Sequence, residues 1–344
     1  FIADRVLFDD DYIFASLAKT KQFFYTENAH PPLPVWSDIL LTEIFPLTNR
    51  TIRLTSIIFA TLTVGLVYFI TKKIATAAST QTAILATIIT GLSAWHIRAS
   101  QMNSGSEGGM LTFFFYLTVY FLLCWKENKT RIWLAAIGVG FGLTMLAKET
   151  GFLLIPILGI GYCLEMGTLW KADRKEFWKQ AREASMIAGS VALLIWSIFP
   201  ILDLMYNNGQ NMHAIVVRIS TITQEEQSIL TYSTAFVFLY HFFKLLLWTG
   251  PLLVFYPKLW QLEKEGEKEA KLRKIKNIFL IIILIEWIFY LFLIPQYLDK
   301  TRYLMVTIPA LSIVSAEYMA KKIKENREES RRAKKDLLFV GIVA

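Results

Sequence analysis

Apolar residues in this chain come in blocks rather than in stripes. The blocks cover Leu54–Thr71, Thr80–Trp95, Gly109–Trp125, Ile132–Ala147, Gly151–Glu165, Ala184–Leu202, Thr234–Tyr256, Asn277–Pro295 and Tyr303–Ala320, and another begins at Leu337. Each approaches the roughly 20 residues that a helix needs to cross a bilayer core, although several are short. The pattern predicts an all-α integral membrane protein, a polytopic bundle of about ten visible transmembrane helices. Two units follow: residues 1–53, an outer acidic loop with an amphipathic helix, and residues 54–344, the transmembrane helical domain. The chain starts at Phe1 and stops inside the apolar run Leu337–Ala344, so it is expected to be a fragment, lacking an upstream helix and a C-terminal part.

Charge tests that count. The loops holding Lys72 and Lys73, Lys126, Lys129 and Arg131, and the basic runs Lys171–Arg182, Lys258–Lys276 and Lys321–Lys335 all fall on one side if the blocks alternate, and they hold most of the 36 Lys and Arg. By the positive-inside rule that side is cytoplasmic, and the acidic head faces the exterior, periplasm or lumen. A net charge of +8 is thereby explained by topology, with no call for nucleic acid. Hydrophobic residues make up 54% of the chain, and its mean hydropathy of +0.43 argues against a soluble domain. Cys124 and Cys163 both lie in apolar blocks, which speaks against a disulfide scaffold or a thiolate metal site.

Chemistry is expected on the outer loops. Asp9, Asp10 and Asp11 form an acidic run that could simply open a helix lying on the membrane surface. The same carboxylates, held near an apolar wall, could act as a general base toward an acceptor hydroxyl or hold a divalent cation. The turn His30-Pro31-Pro32-Leu33 follows, stiffened by its prolines. Arg53, Arg98, Lys148 and Arg302 all fall at or near outer helix ends, where cations can stabilise a phosphate or snorkel to water. Lys148 joins two short blocks, so it should lie below the surface and line a cavity rather than face lipid. Lys244 and Glu286 sit at similar depth on consecutive antiparallel segments, which predicts a buried ion pair with His241 one turn away. His96, His213 and His241 show no metal-ligand spacing.

The order of these motifs resembles a known family. An acidic Phe8-Asp9-Asp10-Asp11, a short amphipathic helix, His30-Pro31-Pro32-Leu33 and Arg53-Leu54 opening a helix are similar to the protein O-mannosyltransferases and the bacterial aminoarabinose transferases of lipid A. Both belong to the multi-spanning, C-type glycosyltransferases that use polyprenyl-phosphate sugars. Trp95-His96-Ile97-Arg98, Leu146-Ala147-Lys148 before Gly151, and Arg302-Tyr303-Leu304 ahead of Pro309-Ala310-Leu311 fall in the family's order. The resemblance implies that the first acidic pair supplies the catalytic base. That pair is either Asp9-Asp10 or Asp10-Asp11, and Asp10 belongs to both. The family's second acid corresponds to Glu107, since Asn103 stands where the Asp usually falls.

The implied function is transfer of a mannose-like sugar from a polyprenyl-phosphate donor to an acceptor hydroxyl on protein, with inversion. Arg53, Arg98, Lys148 and Arg302 would hold the phosphate, and His30 and Tyr303 would shape the pocket. The family is mixed on metals, which leaves a divalent ion at the acidic loop open. Partners are then the lipid-linked donor, membrane lipids and a protein or glycolipid acceptor. Transfer to lipid or polysaccharide, or movement of a lipid-linked sugar across the bilayer, fits the same residues.

Overall fold

The computed structural model describes residues 9–23, 31–75, 79–93, 96–97, 100, 109–217, 279, 282–285 and 306–343. Its architecture is a helical bundle capped at one end by two short helices. The helices, in chain order, are α1 (Asp9–Thr20), α2 (Leu33–Ile44), α3 (Asn49–Ile74), α4 (Ser79–Leu92), α5 (Leu111–Asn128), α6 (Arg131–Ala147), α7 (Leu154–Ala172), α8 (Arg174–Asn207) and α9 (Thr307–Val343). A 3₁₀ turn, Glu149–Leu153, links α6 to α7.

Local signals set the ends of these helices. Thr48 Oγ1 accepts from the Thr51 backbone N–H at 3.1 Å and starts α3 five residues before the apolar block does. Lys129, in the left-handed region at φ 49°, ends α5 and reverses the chain into α6. Asp173 ends α7 and caps α8, its carboxylate accepting from the N–H groups of Lys175 and Glu176 at 2.9 and 3.0 Å.

The alternation expected from charge can be checked where helices meet. Lys73 at the end of α3 pairs with Glu127 at the end of α5 at 2.5 Å, and Arg131 at the start of α6 pairs with Glu183 early in α8 at 2.7 Å. The basic ends of four helices therefore share one layer. Aromatic rings line it: Lys129 lies 3.8 Å from the centre of the Trp125 ring, Arg174 lies 5.3 Å from that of Trp170, and Trp170 packs on Phe177 and Trp178. Such a cationic, Trp-rich layer suits a membrane–water interface. Away from it, α8 turns Leu193, Leu194, Ile201 and Leu204 outward, an apolar face suited to lipid rather than water.

The spanning count differs from expectation. Among the described residues, two helices, Asn49–Ile74 and Arg174–Asn207, are long and apolar enough to cross a membrane, not ten. Blocks at Thr80–Trp95, Ile132–Ala147 and Gly151–Glu165 correspond to shorter apolar helices: α4 stops at Leu92, α6 stops at Ala147 before Lys148, and the 3₁₀ turn takes the first residues of the third block. The Thr234–Tyr256 block, with Lys244 and His241, and most of Asn277–Pro295, with Glu286, lie outside the described residues. The basic run Lys321–Lys335 is a continuous part of α9 instead of a loop before a new span at Leu337. It contains no Gly or Pro and is rich in Lys, Arg and Glu, which propagate a helix in water.

Packing centres on α6. Cβ atoms added at Gly138 and Gly142 would come within 2.5 Å of the Ala188 carbonyl oxygen and 2.7 Å of Ile195 Cβ on α8, and one at Gly140 would meet Thr118 Oγ1 on α5 at 2.5 Å. Small residues thus let α6 press against a helix on either side, as membrane helix pairs do. Gly159 on α7 has no atom within 4 Å of such a Cβ. Gly138→Ala should destabilise the protein by about 1–3 kcal/mol through overpacking, whereas Gly159→Ala should be neutral or stabilising by up to about 1 kcal/mol. Thermal unfolding of the two variants in detergent checks this contrast.

Candidate functional site

The end of the bundle opposite the basic layer carries those candidate residues that are described: Asp9, Asp10, Asp11, Arg53 and Lys148. Asp9, Asp10 and Asp11 form the first turn of α1, where a helix N-terminus favours negative charge. Leu17 and Ala18 of α1 pack with Val35 and Ile39 of α2 in a small core of their own, and Trp36 Nε1 donates to the Phe23 carbonyl at 2.9 Å. Lys21 and Glu43 add an exposed ion pair at 2.7 Å. The prolines have a structural role: Pro31 and Pro32 are buried, and Pro32 starts α2 with its carbonyl accepting from the Trp36 N–H. His30 lies outside the described residues.

Helix α2 lies against both α3 and α6. Its Asp38, 1% exposed, accepts from Thr55 Oγ1 of α3 at 2.7 Å. Arg53, two residues earlier on α3, is 2% exposed, so its guanidinium does not snorkel to water. Lys148, also 2% exposed, sits in extended backbone between α6 and the 3₁₀ turn, its ammonium 3.9 Å from Glu149 Oε1. The Gly151 N–H donates to the Lys148 carbonyl at 3.0 Å, and a Cβ at Gly151 would lie 2.8 Å from the Thr144 carbonyl oxygen. Glycine alone lets the turn fold this tightly onto α6, and the turn holds Lys148 inward.

A carboxylate and two cations are therefore buried at the outer ends of three helices. Charged groups taken out of water cost several kcal/mol each unless matched, and each of the three has an interaction within the protein, Asp38 with Thr55 and Lys148 with Glu149 among them. Asp38 was not among the residues expected from the sequence. A signal was there: it is a lone acid on the α2 face whose other members, Pro34, Val35 and Ile39, are all buried. Arg98, Glu107, Arg302 and Tyr303 lie outside the described residues. No cluster of three metal-binding side chains occurs among the described residues.

Two further contacts join elements at this end of the bundle. Tyr116 of α5, fully buried, donates its hydroxyl proton to the Val306 carbonyl at 2.5 Å and accepts from the Ala310 N–H at 2.9 Å. One phenol thereby holds the first turn of α9, just after Arg302 and Tyr303. His96, beyond the outer end of α4, is 4% exposed, and its Nε2–H donates to the Ala60 carbonyl of α3 at 3.1 Å. Burial lowers the imidazole below its ordinary pKa, against a smaller opposing effect of that hydrogen bond.

The geometry can be set beside known proteins. Residues 29–197, just under half of the chain, match the family model of dolichyl-phosphate-mannose-protein mannosyltransferases. No curated protein sequence matches the chain. ArnT from Cupriavidus metallidurans in its apo state superposes with a TM-score of 0.61 at 17% identity, covering 90% of this chain and 53% of ArnT. The same enzyme bound to undecaprenyl phosphate gives 0.60 at 17%, covering 92% and 56%. Archaeal oligosaccharyltransferase AglB from Archaeoglobus fulgidus, in complex with an inhibitory peptide and a dolichol-phosphate, gives 0.60 at 14%, covering 97% and 48%. The chain thus shares the helical fold of ArnT and AglB, and over residues 29–197 it resembles the dolichyl-phosphate-mannose-protein mannosyltransferases. It spans about half the length of the solved structures it matches.

Tyr116→Phe should leave the buried Val306 carbonyl and Ala310 N–H unsatisfied and cost about 1–3 kcal/mol, measurable as a lower unfolding temperature in detergent. For His96 the lowered pKa fixes the sign. The neutral ring is favoured in the folded state, so its stability is complete above the ordinary value near 6.5 and declines as pH falls below it. Unfolding temperatures between pH 8 and 5 should fall more steeply in the wild type than in His96→Gln.

Proposed function

We propose that this chain is the membrane part of an enzyme that transfers a mannose-like sugar from a polyprenyl-phosphate donor to an acceptor hydroxyl, on protein, with inversion. The observation that carries the reading is the burial of Arg53 and Lys148 at the outer end of the bundle, beneath the α1–α2 cap whose first turn is Asp9–Asp11. In the reaction, the acceptor oxygen attacks the anomeric carbon, its proton passes to Asp10, and the bond from that carbon to the phosphate oxygen breaks. Polyprenyl phosphate leaves carrying the electron pair, and Arg53, Lys148, Arg98 and Arg302 stabilise its charge. Glu107 is the second acid, and His30 and Tyr303 shape the pocket.

This function goes with a fuller topology: about ten spanning helices, with the residues 1–53 unit outside and the donor's tail entering between helices. ArnT supports the donor class, since a solved form of it holds undecaprenyl phosphate, and the mannosyltransferase match over residues 29–197 supports the sugar and the acceptor.

Membranes containing the full-length protein should transfer labelled mannose from polyprenyl-phosphate mannose to a peptide. Asp10→Asn should lower transfer by about 10²-fold or more with donor binding retained, and Lys148→Met should weaken donor binding itself. Donor binding without transfer by the wild type, accompanied by donor movement across the bilayer, would replace the enzyme with a transporter.

A further inference from the structure

At the outer end of α8 the chain reverses around one carboxylate. Asn208 at φ 52° and Gly209 at φ 73° make the turn, and the Gly209 N–H donates to the Asp203 carbonyl at 3.0 Å. Asp203 is fully buried. Its Oδ1 accepts from Asn207 Nδ2 at 2.9 Å and from the Asn211 N–H at 3.3 Å, and its Oδ2 accepts from the Met212 N–H at 2.8 Å. The carboxylate thus caps the short helix 210–217 and holds the Asn211 backbone in place.

The Asn211 side chain is the exception to this economy of partners. It is fully buried, and neither Nδ2 nor Oδ1 has a hydrogen-bond partner. His96, by contrast, keeps a bond through one nitrogen, and among the described residues no other side chain has both polar atoms buried and unpaired. Leucine, of similar size, would avoid the cost of an unsatisfied primary amide, so the amide is a burden on the unliganded fold. Strain of this kind, held in place by a rigid cap, is characteristic of residues kept for a ligand.

We infer that Asn211 binds sugar hydroxyls, an inference that rests on the sugar-transfer reading of the site. Nδ2 donates to one hydroxyl oxygen while Oδ1 accepts from a neighbouring one, and a vicinal diol offers both at that spacing. An ionised phosphate ester has acceptors only, and a polyprenyl tail has neither. Since α6 and α8 both start at the basic layer, α8 delivers Asn211 to the same end of the bundle as Lys148. The diol belongs either to the donor sugar or to a glycosylated acceptor.

The test uses full-length protein carrying Asn211→Leu, with Asn211→Ala as the variant that adds no bulk. Affinity for sugar-free polyprenyl phosphate, affinity for polyprenyl-phosphate mannose, acceptor KM and unfolding temperature without ligand are measured. We expect the unfolding temperature to hold or rise and sugar-free lipid to bind as before. A loss of about tenfold, the size of one or two hydrogen bonds, should appear in a single place. In mannose-bearing donor affinity it assigns the diol to the donor; in acceptor KM, to the acceptor. A wild type that prefers the mannose-bearing lipid while both variants keep that preference and the acceptor KM overturns the role of Asn211 alone. A lower unfolding temperature with equal losses for both lipids does so too, making Asn211 structural. A wild type that binds neither lipid overturns the sugar-transfer reading and this inference together.

Discussion

Close approach of α6 to its two neighbours is the contact on which the rest of this structure depends. Within a bilayer, apolar side chains gain nothing by leaving lipid for one another, so helices associate through the fit of their surfaces. Gly138 and Gly142 on one side of α6 and Gly140 on the other remove the side chains that would hold α8 and α5 away. The contact also has a direction. It carries α6 from the basic layer at Arg131 to the opposite end of the bundle, where the helix stops at Lys148. A wider spacing would leave the ammonium of Lys148 near lipid, where a charge is costly.

The outer end shows how a fold keeps charge in an apolar setting. Helix α2 closes over α3 and brings Asp38 onto Thr55, α1 is fastened to α2 by a separate apolar core, and Tyr116 holds the first turn of α9. None of these contacts lies at the reacting atoms of the proposed transfer. They position the elements that carry Asp10, Arg53 and Lys148, the residues to which the proposed transfer assigns its base and two of its cations.

How much was legible in the sequence varies from residue to residue for identifiable reasons. The burial of Lys148 could be read because it depends on length alone: two short apolar blocks place their junction below the surface. The acids on the first turn of α1 could be read because helix N-termini attract negative charge. Asp38 was passed over because, taken by itself, it looks like an ordinary polar residue on a surface helix, and only contact with Thr55 across 17 positions shows where it points. The continuation of α9 through its basic run is not legible from charge, which suggests a loop between spans, whereas propensity favours the helix.

What the sequence determined by itself is one-dimensional: the apolar blocks, the sidedness of the basic residues, and the order of motifs resembling the C-type glycosyltransferases. These follow from hydrophobicity and charge acting along the chain, which every residue carries wherever it folds. The tertiary structure decided which helices touch, that Arg53 is buried, that Tyr116 reaches across 190 residues to the start of α9, and that Asn211 is left without partners. Those outcomes depend on distances between segments remote in sequence, and burial or hydrogen bonding is a property of the neighbours a residue acquires rather than of the residue.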